Sequence, residues 1–362
     1  MLVSDEVVGL RDAEQAATRP APTGLAAGAT LDDAVRDLIT TYHDLNPSTI
    51  DTLYSDPSPL EFMRYVARNR PFVIKNSAAD WKARQHWTAA YLKRAMAGHS
   101  VNVSLTPHGN ADSVVSLPGG GHVFAKPHEA TEDFAAVIDA ISAQGLQSTT
   151  ETPAPRHIRY AQTQNDNLRD EYAPLLADVP PSIPFAHVAL DRAPDAINLW
   201  LGSAASRTAL HKDAYENLYA QILGRKHFVL LPPSDAACVG ERGVLAGTYA
   251  PRDPEREGAG ELVLKVDEPE AYVPCALWDP ETPEVNATKY SSLARPIRVT
   301  LEEGDVMYLP ALWYHQVRQS CDDEGLCCAV NYWYDIDFAG GFWSTAGFVR
   351  AVGVLGEEGG SG

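Results

Sequence analysis

The chain has 362 residues, 45% of them hydrophobic and 9% aromatic, enough for one large domain or two ordinary ones. Its formal net charge of -19 argues against partners gripped by their phosphate backbone, and leaves basic peptides or plain solubility as readings. The acidic start MLVSDEVVGLRDAEQ, the lack of an apolar run near the roughly 20 residues that span a bilayer, and five cysteines without a C-x-x-C pair set one expectation. It is a soluble protein with reduced thiols in the cytoplasm, and also in the nucleus.

Residues 1–29 are rich in Ala, Gly, Thr and Pro without a period and read as a flexible leader. Thr30 and Asp33 then open a helix whose apolar stripe is Leu31, Val35, Leu38, Ile39 and Tyr42. In SPLEFMRYVARN, Ser58 caps a second helix, Pro59 suits its first position, Glu61 closes a capping box, and Phe62, Tyr65 and Val66 face inward. RPFVIKN is a short strand, so residues 30–100 form an N-terminal extension of helices and strand.

Beyond it the β-branched and aromatic runs recur: VNVSLTP, RYAQTQ, AINLWLG, NLYAQILG, KHFVLLPP, IRVTLEEGD, VMYLPALWYHQV and CCAVNYWYDI. Gly, Pro and Asp turns separate them, and the predicted fold of residues 101–340 is mainly β, a jelly roll or double-stranded β-helix of the cupin type. Residues 237–262 are rich in Gly, Pro and charge and read as an inserted surface loop, as does LWDPETPEVNATKY. Residues 341–362 are expected to form a helical segment with a flexible tail; the helix pairs two subunits into a homodimer or packs on its own chain.

The stretch ALHKDAYENLYAQIL reads as one strand, in which residues two apart share a face, so His211 and Asp213 point together into the barrel. Buried imidazole and carboxylate need a partner, and together they chelate a divalent ion. With 11 His and 48 acidic residues, H-x-[DE] arises about once or twice by chance, so a third ligand matters. His315, in the aromatic strand after an acidic Gly turn, supplies it. Two histidines and a carboxylate leave open positions on an octahedral ion, as in non-haem Fe(II) oxygenases, and zinc hydrolysis competes for the same donors. Lys226 follows Gly224, where a hairpin would return the chain beside the His211 strand. A lysine entering a barrel meets an anion, and the distal carboxylate of 2-oxoglutarate fits, with Thr208, Asn217 and Tyr219 as further hydrogen-bonding groups.

RPFVIKN, VNVSLTPHGNAD, PDAINLWLG, LHKDAYENLYAQILGRKHFVLLPPSD, YLPALWYHQV and AVNYWYD, spread over about residues 58–340, resemble the JmjC subgroup of 2-oxoglutarate oxygenases, in particular its lysyl hydroxylases. The resemblance implies iron ligands at His211, Asp213 and His315, a cosubstrate lysine at Lys226, and helpers at Thr208, Asn217, Tyr219, Tyr160 and Asn331. It implies Fe(II), 2-oxoglutarate and dioxygen as cofactors, and hydroxylation of C-3 of a lysine in a GTP-binding protein, with no nucleic acid and no membrane involved. The 237–262 insertion and the leader depart from the pattern, which bears on substrate choice.

The other readings are histone lysine demethylation, endopeptidase action on basic tails, and a cupin-like binding module without turnover; the last would lack a ligand or the lysine. Trp81, Trp87, Trp200, Trp313 and Trp333 are expected to be core or rim packing, and His227 to lie on the opposite face from Lys226. Asp112 and the Glu302 and Glu303 pair are the acidic groups that would attract a basic substrate, or are simply solvated.

Overall fold

The computed structural model describes residues 28–117, 119–147, 157–253 and 260–358. Most of the expected leader, the middle of the 237–262 segment and the last four residues of the tail lie outside them. Among the described residues the strands form a nine-stranded sheet, a four-stranded sheet and a five-stranded sheet.

The four-stranded sheet holds Ile297–Leu301, Arg225–Leu231, Tyr314–Ser320 and Thr208–His211 in that order. At the centre of the nine-stranded sheet lie Val306–Leu309, Tyr215–Leu223, Cys327–Asp335 and Ala196–Gly202. The two sheets share one apolar layer, in which Phe228, Leu230, Leu301 and Val317 of the small sheet meet Tyr219, Met307, Leu309 and Trp333 of the large one. On the other face of the large sheet, Leu218, Ala220, Ile222, Tyr308, Val330 and Tyr332 belong to a second core with Phe62, Phe134 and Ile138. Strands buried on both faces lose the alternation of a half-wet strand and read as continuous apolar runs, which explains CCAVNYWYD and NLYAQIL. The mainly β, double-stranded architecture with helical ends matches the expectation.

The N-terminal helices form where their caps are written. Leu31–Leu45 starts at Thr30, whose Oγ1 accepts from Asp33 N (3.2 Å) while Thr30 N donates to Asp33 Oδ2 (2.9 Å). The buried stripe is narrower than predicted: Val35, Ile39 and His43 pack inward, and Leu31 and Leu38 stay exposed. The stripe ends on a polar contact, His43 Nε2 lying 3.0 Å from both oxygens of buried Asp235. Pro59–Arg68 starts at Ser58, which accepts from Glu61 N (3.2 Å); of the expected capping box this half is formed. Phe62 on that helix is fully buried edge-on against Phe72, Phe185 and Tyr308.

The described residues of the segment 237–262 do not form a surface loop. Residues 237–241 are buried, and Arg242–Pro251 is a ten-residue strand at the middle of the five-stranded sheet, pairing Leu262–Val266, Tyr272–Cys275 and His122–Lys126. Its glycines and charges gave it the composition of a loop; two of its pairing partners follow it closely in the chain, and the third is a parallel neighbour more than a hundred residues earlier. LWDPETPEVNATKY is irregular, as expected. The C-terminal helix Gly341–Glu358 packs on its own chain, with Gly353 against Ala237 and Val352 against the Leu31–Leu45 cluster, and leaves Phe342, Trp343, Phe348 and Leu355 exposed. No helix among the described residues is long and apolar enough to cross a membrane, and the five cysteines form no disulfide.

Candidate metal centre and cosubstrate pocket

His211 ends the strand Thr208–His211 and His315 is the second residue of Tyr314–Ser320. These strands are antiparallel neighbours with His211 directly opposite His315, so both imidazoles stand on one face with ring centroids 4.1 Å apart. Asp213 does not share their strand. The chain leaves the small sheet after His211 and enters the large one at Tyr215, and Asp213 lies on this crossing, its carbonyl accepting from Leu312 N (2.8 Å). Leu312 has a left-handed backbone (φ 64°) in the turn that leads into the His315 strand, so one hydrogen bond joins the two ligand-bearing segments.

The carboxylate is brought to both rings all the same. Asp213 Oδ2 lies 3.7 Å from His211 Nε2 and 3.7 Å from His315 Nε2, and one donor atom from each residue falls within 4.8 Å of the others. His211 Nδ1 is bonded to Ala209 O (2.8 Å) and His315 Nδ1 to Trp313 O (2.9 Å). A carbonyl only accepts, so Nδ1 carries the proton and Nε2 presents its lone pair to the centre. Burial pushes the His315 imidazole down to about 4, with His211 adding to the effect, so this ring is neutral at pH 7. Two imidazole nitrogens and a carboxylate oxygen, converging and held from behind, fit a divalent transition metal with positions left open.

Lys226 reaches the same cavity from Arg225–Leu231. Gly224 does not make the hairpin predicted for it: its turn (φ 66°) carries the chain from the large sheet to the small one, and the His315 strand separates Lys226 from the His211 strand. A side chain at Gly224 would meet Ser320 O at 2.4 Å, so the turn admits glycine. Lys226 has the parity of Phe228 and Leu230 and points between the sheets, whereas His227 lies on the other face, bonded to Thr300 and Ser320 hydroxyls. Lys226 is 2% exposed, and its Nζ donates to Tyr160 Oη (3.0 Å). Burial opposes its charge, and the hydroxyls of Tyr160 and Tyr219 outweigh that, holding the amine above the ordinary lysine range. Among the described residues it forms no ion pair. A buried ammonium held protonated beside uncharged phenols is a ready partner for an incoming carboxylate.

The remaining predicted residues surround it. Tyr219 and Asn331 are register partners on neighbouring strands; Asn331 Nδ2 donates to Asn217 Oδ1 (3.1 Å) and Asn331 Oδ1 accepts from Trp200 Nε1 (2.9 Å). Thr208 starts the His211 strand, half-buried. His211, Asp213, His315, Lys226, Thr208, Asn217, Tyr219, Tyr160 and Asn331 all line one cavity of about 970 Å³. Trp200 and Trp333 line it too, Trp333 stacked on Tyr215 (4.8 Å), while Trp87 and Trp313 are core.

Sequence reasoning missed other walls of the cavity: Glu241, Cys275 and Trp278, and Trp343 and Arg350 of the C-terminal helix. Asp112 belongs to the cavity, in a left-handed backbone (φ 53°), accepting from Gln162 Nε2 (3.1 Å), and burial raises its carboxyl. Glu302 and Glu303 do not; they pair with Arg225 (2.6 Å) and Arg84 (2.5 Å) elsewhere on the surface.

Comparison with known proteins agrees with this geometry. The cupin-like domain family matches residues 57–340. The chain is 37% identical to the bifunctional peptidase and (3S)-lysyl hydroxylase JMJD7 of Homo sapiens, over 81% of this chain and 86% of that protein. It is 36% identical to the lysine-specific demethylase JMJ32 of Arabidopsis thaliana, over 80% of this chain and 82% of that protein. It is 34% identical to JmjC domain-containing protein E of Dictyostelium discoideum, over 78% and 83%. With two thirds or more of each chain aligned and the His-Asp-His cluster in place, this chain belongs to the cupin-like JmjC family of 2-oxoglutarate oxygenases.

Proposed function

We propose that the protein is an Fe(II)- and 2-oxoglutarate-dependent protein hydroxylase that acts on a lysine side chain, at C-3 of a lysine in a GTP-binding protein. The observation that carries the cosubstrate is Lys226, a buried ammonium without an ion-pair partner among the described residues, in the same cavity as three convergent metal donors. His211, Asp213 and His315 hold Fe(II) through their Nε2, Oδ2 and Nε2 atoms. Lys226 pairs with the distal carboxylate of 2-oxoglutarate, with Tyr160 orienting its amine. Thr208, Tyr219 and the Asn217–Asn331 pair offer hydrogen bonds along the cosubstrate, and Trp200 and Trp333 keep water from it. Bound Fe(II) with 2-oxoglutarate and dioxygen supplies the oxidising power for C–H hydroxylation, releasing succinate and carbon dioxide.

Asp112 supports a basic substrate. It lines the cavity with His211, is held by Gln162, and among the described residues forms no ion pair, so a lysine ammonium completes it. Asp112→Asn is expected to raise the KM for a lysine peptide by roughly 10-fold, the low end for a charged hydrogen bond, with little change in the KM for 2-oxoglutarate. The cysteines without disulfides fit a reducing compartment, and we place the protein in the cytoplasm, with access to the nucleus. The exposed aromatic side of the C-terminal helix fits a homodimer contact.

The relatives include a demethylase and a peptidase, so the test offers all three outcomes. Lysine-containing peptides from a GTP-binding protein, unmethylated and methylated, are incubated with protein, Fe(II) and 2-oxoglutarate and read by mass spectrometry. A one-oxygen gain on unmethylated lysine supports hydroxylation. Loss of methyl groups or appearance of fragments would replace it with demethylation or cleavage.

A further inference from the structure

The residues that alternate with the three candidate ligands converge on one buried carboxylate. Lys212 stands between His211 and Asp213, and Tyr314 immediately precedes His315. Neighbours in extended chain emerge on opposite sides, so these two leave the backbone opposite the ligands. Both meet Glu241. Its Oε2 accepts from Tyr314 Oη (3.0 Å) and from Lys212 Nζ, and its Oε1 accepts from Arg350 of the C-terminal helix. Lys212 Nζ also lies 4.7 Å from the centroid of the Tyr314 ring.

Glu241 is well placed to act as a hub. Its side chain is 2% exposed, and it sits in the segment that joins the 3₁₀ turn Pro233–Asp235 to the strand Arg242–Pro251. Burial works to raise its carboxyl, and Lys212 and Arg350 overcome this and hold it below the ordinary glutamate range. The crossing that carries Asp213 belongs to neither sheet, so ladder hydrogen bonds do not fix it; the Leu312 bond and the grip on Lys212 do.

We infer that Glu241 is a positioning residue for the metal centre: one buried carboxylate fixes the main chain behind all three ligands and ties the C-terminal helix to it. The inference rests on the metal-centre reading above. It separates two jobs of one side chain, since Tyr314 and Lys212 lead to the ligands whereas Arg350 leads to the helix. A role confined to stapling the helix would affect stability and leave the metal untouched.

The experiment is titration of the full-length, metal-free protein with Co(II) alone, followed by visible absorption, alongside thermal unfolding without metal. Wild type is compared with Glu241→Gln, Tyr314→Phe, Arg350→Ala and His211→Ala. Loss of a group that orients a ligand from behind weakens metal binding by roughly 10- to 100-fold. Glu241→Gln is expected at about the tenfold end, and Tyr314→Phe lower, both with an altered Co(II) spectrum. Arg350→Ala is expected to lower thermal stability and keep the wild-type spectrum. Tyr314→Phe preserves the ring and its packing, so it carries the test should Glu241→Gln not fold. Wild-type affinity and an unchanged spectrum in Glu241→Gln and Tyr314→Phe would overturn the inference and leave Glu241 as a helix staple. Should wild type give no Co(II) spectrum that His211→Ala removes, the metal-centre reading fails, and this inference fails with it.

Discussion

On the outer face of the large sheet, Leu218, Ala220, Tyr308, Val330 and Tyr332 pack with Phe62 and Phe134 into a core in which nearly every side chain is apolar. On the inner face of the same strands, Asn217, Tyr219 and Asn331 alternate with them and look toward Lys226, His211 and His315 across the gap between the sheets. The two faces differ by one residue of parity, yet one is filled with apolar side chains and the other opens into a cavity of about 970 Å³ with polar groups in its walls. The outer face carries the stability that lets the inner face hold groups costly to bury, among them a lysine and a pair of asparagines.

This division is open to being broken from either side. The largest effect on stability is expected from Phe62→Ala on the outer face, which removes a ring buried against three others and lowers the unfolding free energy by about 3–5 kcal/mol. Denaturant unfolding measures the loss, and 2-oxoglutarate binding by the folded fraction is expected to stay at wild-type affinity. Lys226→Met on the inner face should do the reverse. Without its charged hydrogen bond, 2-oxoglutarate binds roughly 10- to 100-fold more weakly. Methionine keeps most of the packing of the lysine stem, so the loss of stability is expected to be smaller than for Phe62→Ala. Parallel loss of binding and stability in either variant would show that the two faces are not separable.

The smallest expected effect comes from a buried acid on the outer face, Glu216, which accepts from Tyr308 Oη (2.6 Å) and Ala311 N (3.3 Å). Burial raises its carboxyl above the ordinary 4.5, so the folded state holds this proton more tightly than the unfolded chain. Its contribution is complete below that ordinary value and is lost as pH rises through the folded one. Glu216→Gln is expected to flatten the part of the stability profile that lies above the ordinary glutamate value, measured as unfolding free energy against pH; an unchanged slope would mean the group does not hold its proton.

The parts of this arrangement that could be read from the chain are those carried by local pattern. Thr30 and Ser58 announce helices because a cap is a contact over three residues, and NLYAQIL and CCAVNYWYD announce strands because both of their faces are buried. His211, His315 and Lys226 stand out because charged or ligating groups in such strands need a partner. Two errors share one cause. The stretch around Asp213 and the turn at Gly224 each look like continuation within a sheet, and each carries the chain from one sheet to the other, which strand periodicity cannot express. The 237–262 segment was illegible for a related reason. Its strand is built by partners such as His122–Lys126 and Tyr272–Cys275, and Glu241 draws its meaning from Lys212, Tyr314 and Arg350, which lie 29, 73 and 109 residues away.

The most direct test of the inner face as an oxygenase centre is succinate release from 2-oxoglutarate with Fe(II) and dioxygen, without added protein substrate, in wild type and in His211→Ala. Slow, Fe(II)-dependent succinate release by wild type that falls to background in His211→Ala is the predicted result. Equal release by the two proteins, or none by a wild type that is folded and metal-loaded, would contradict it.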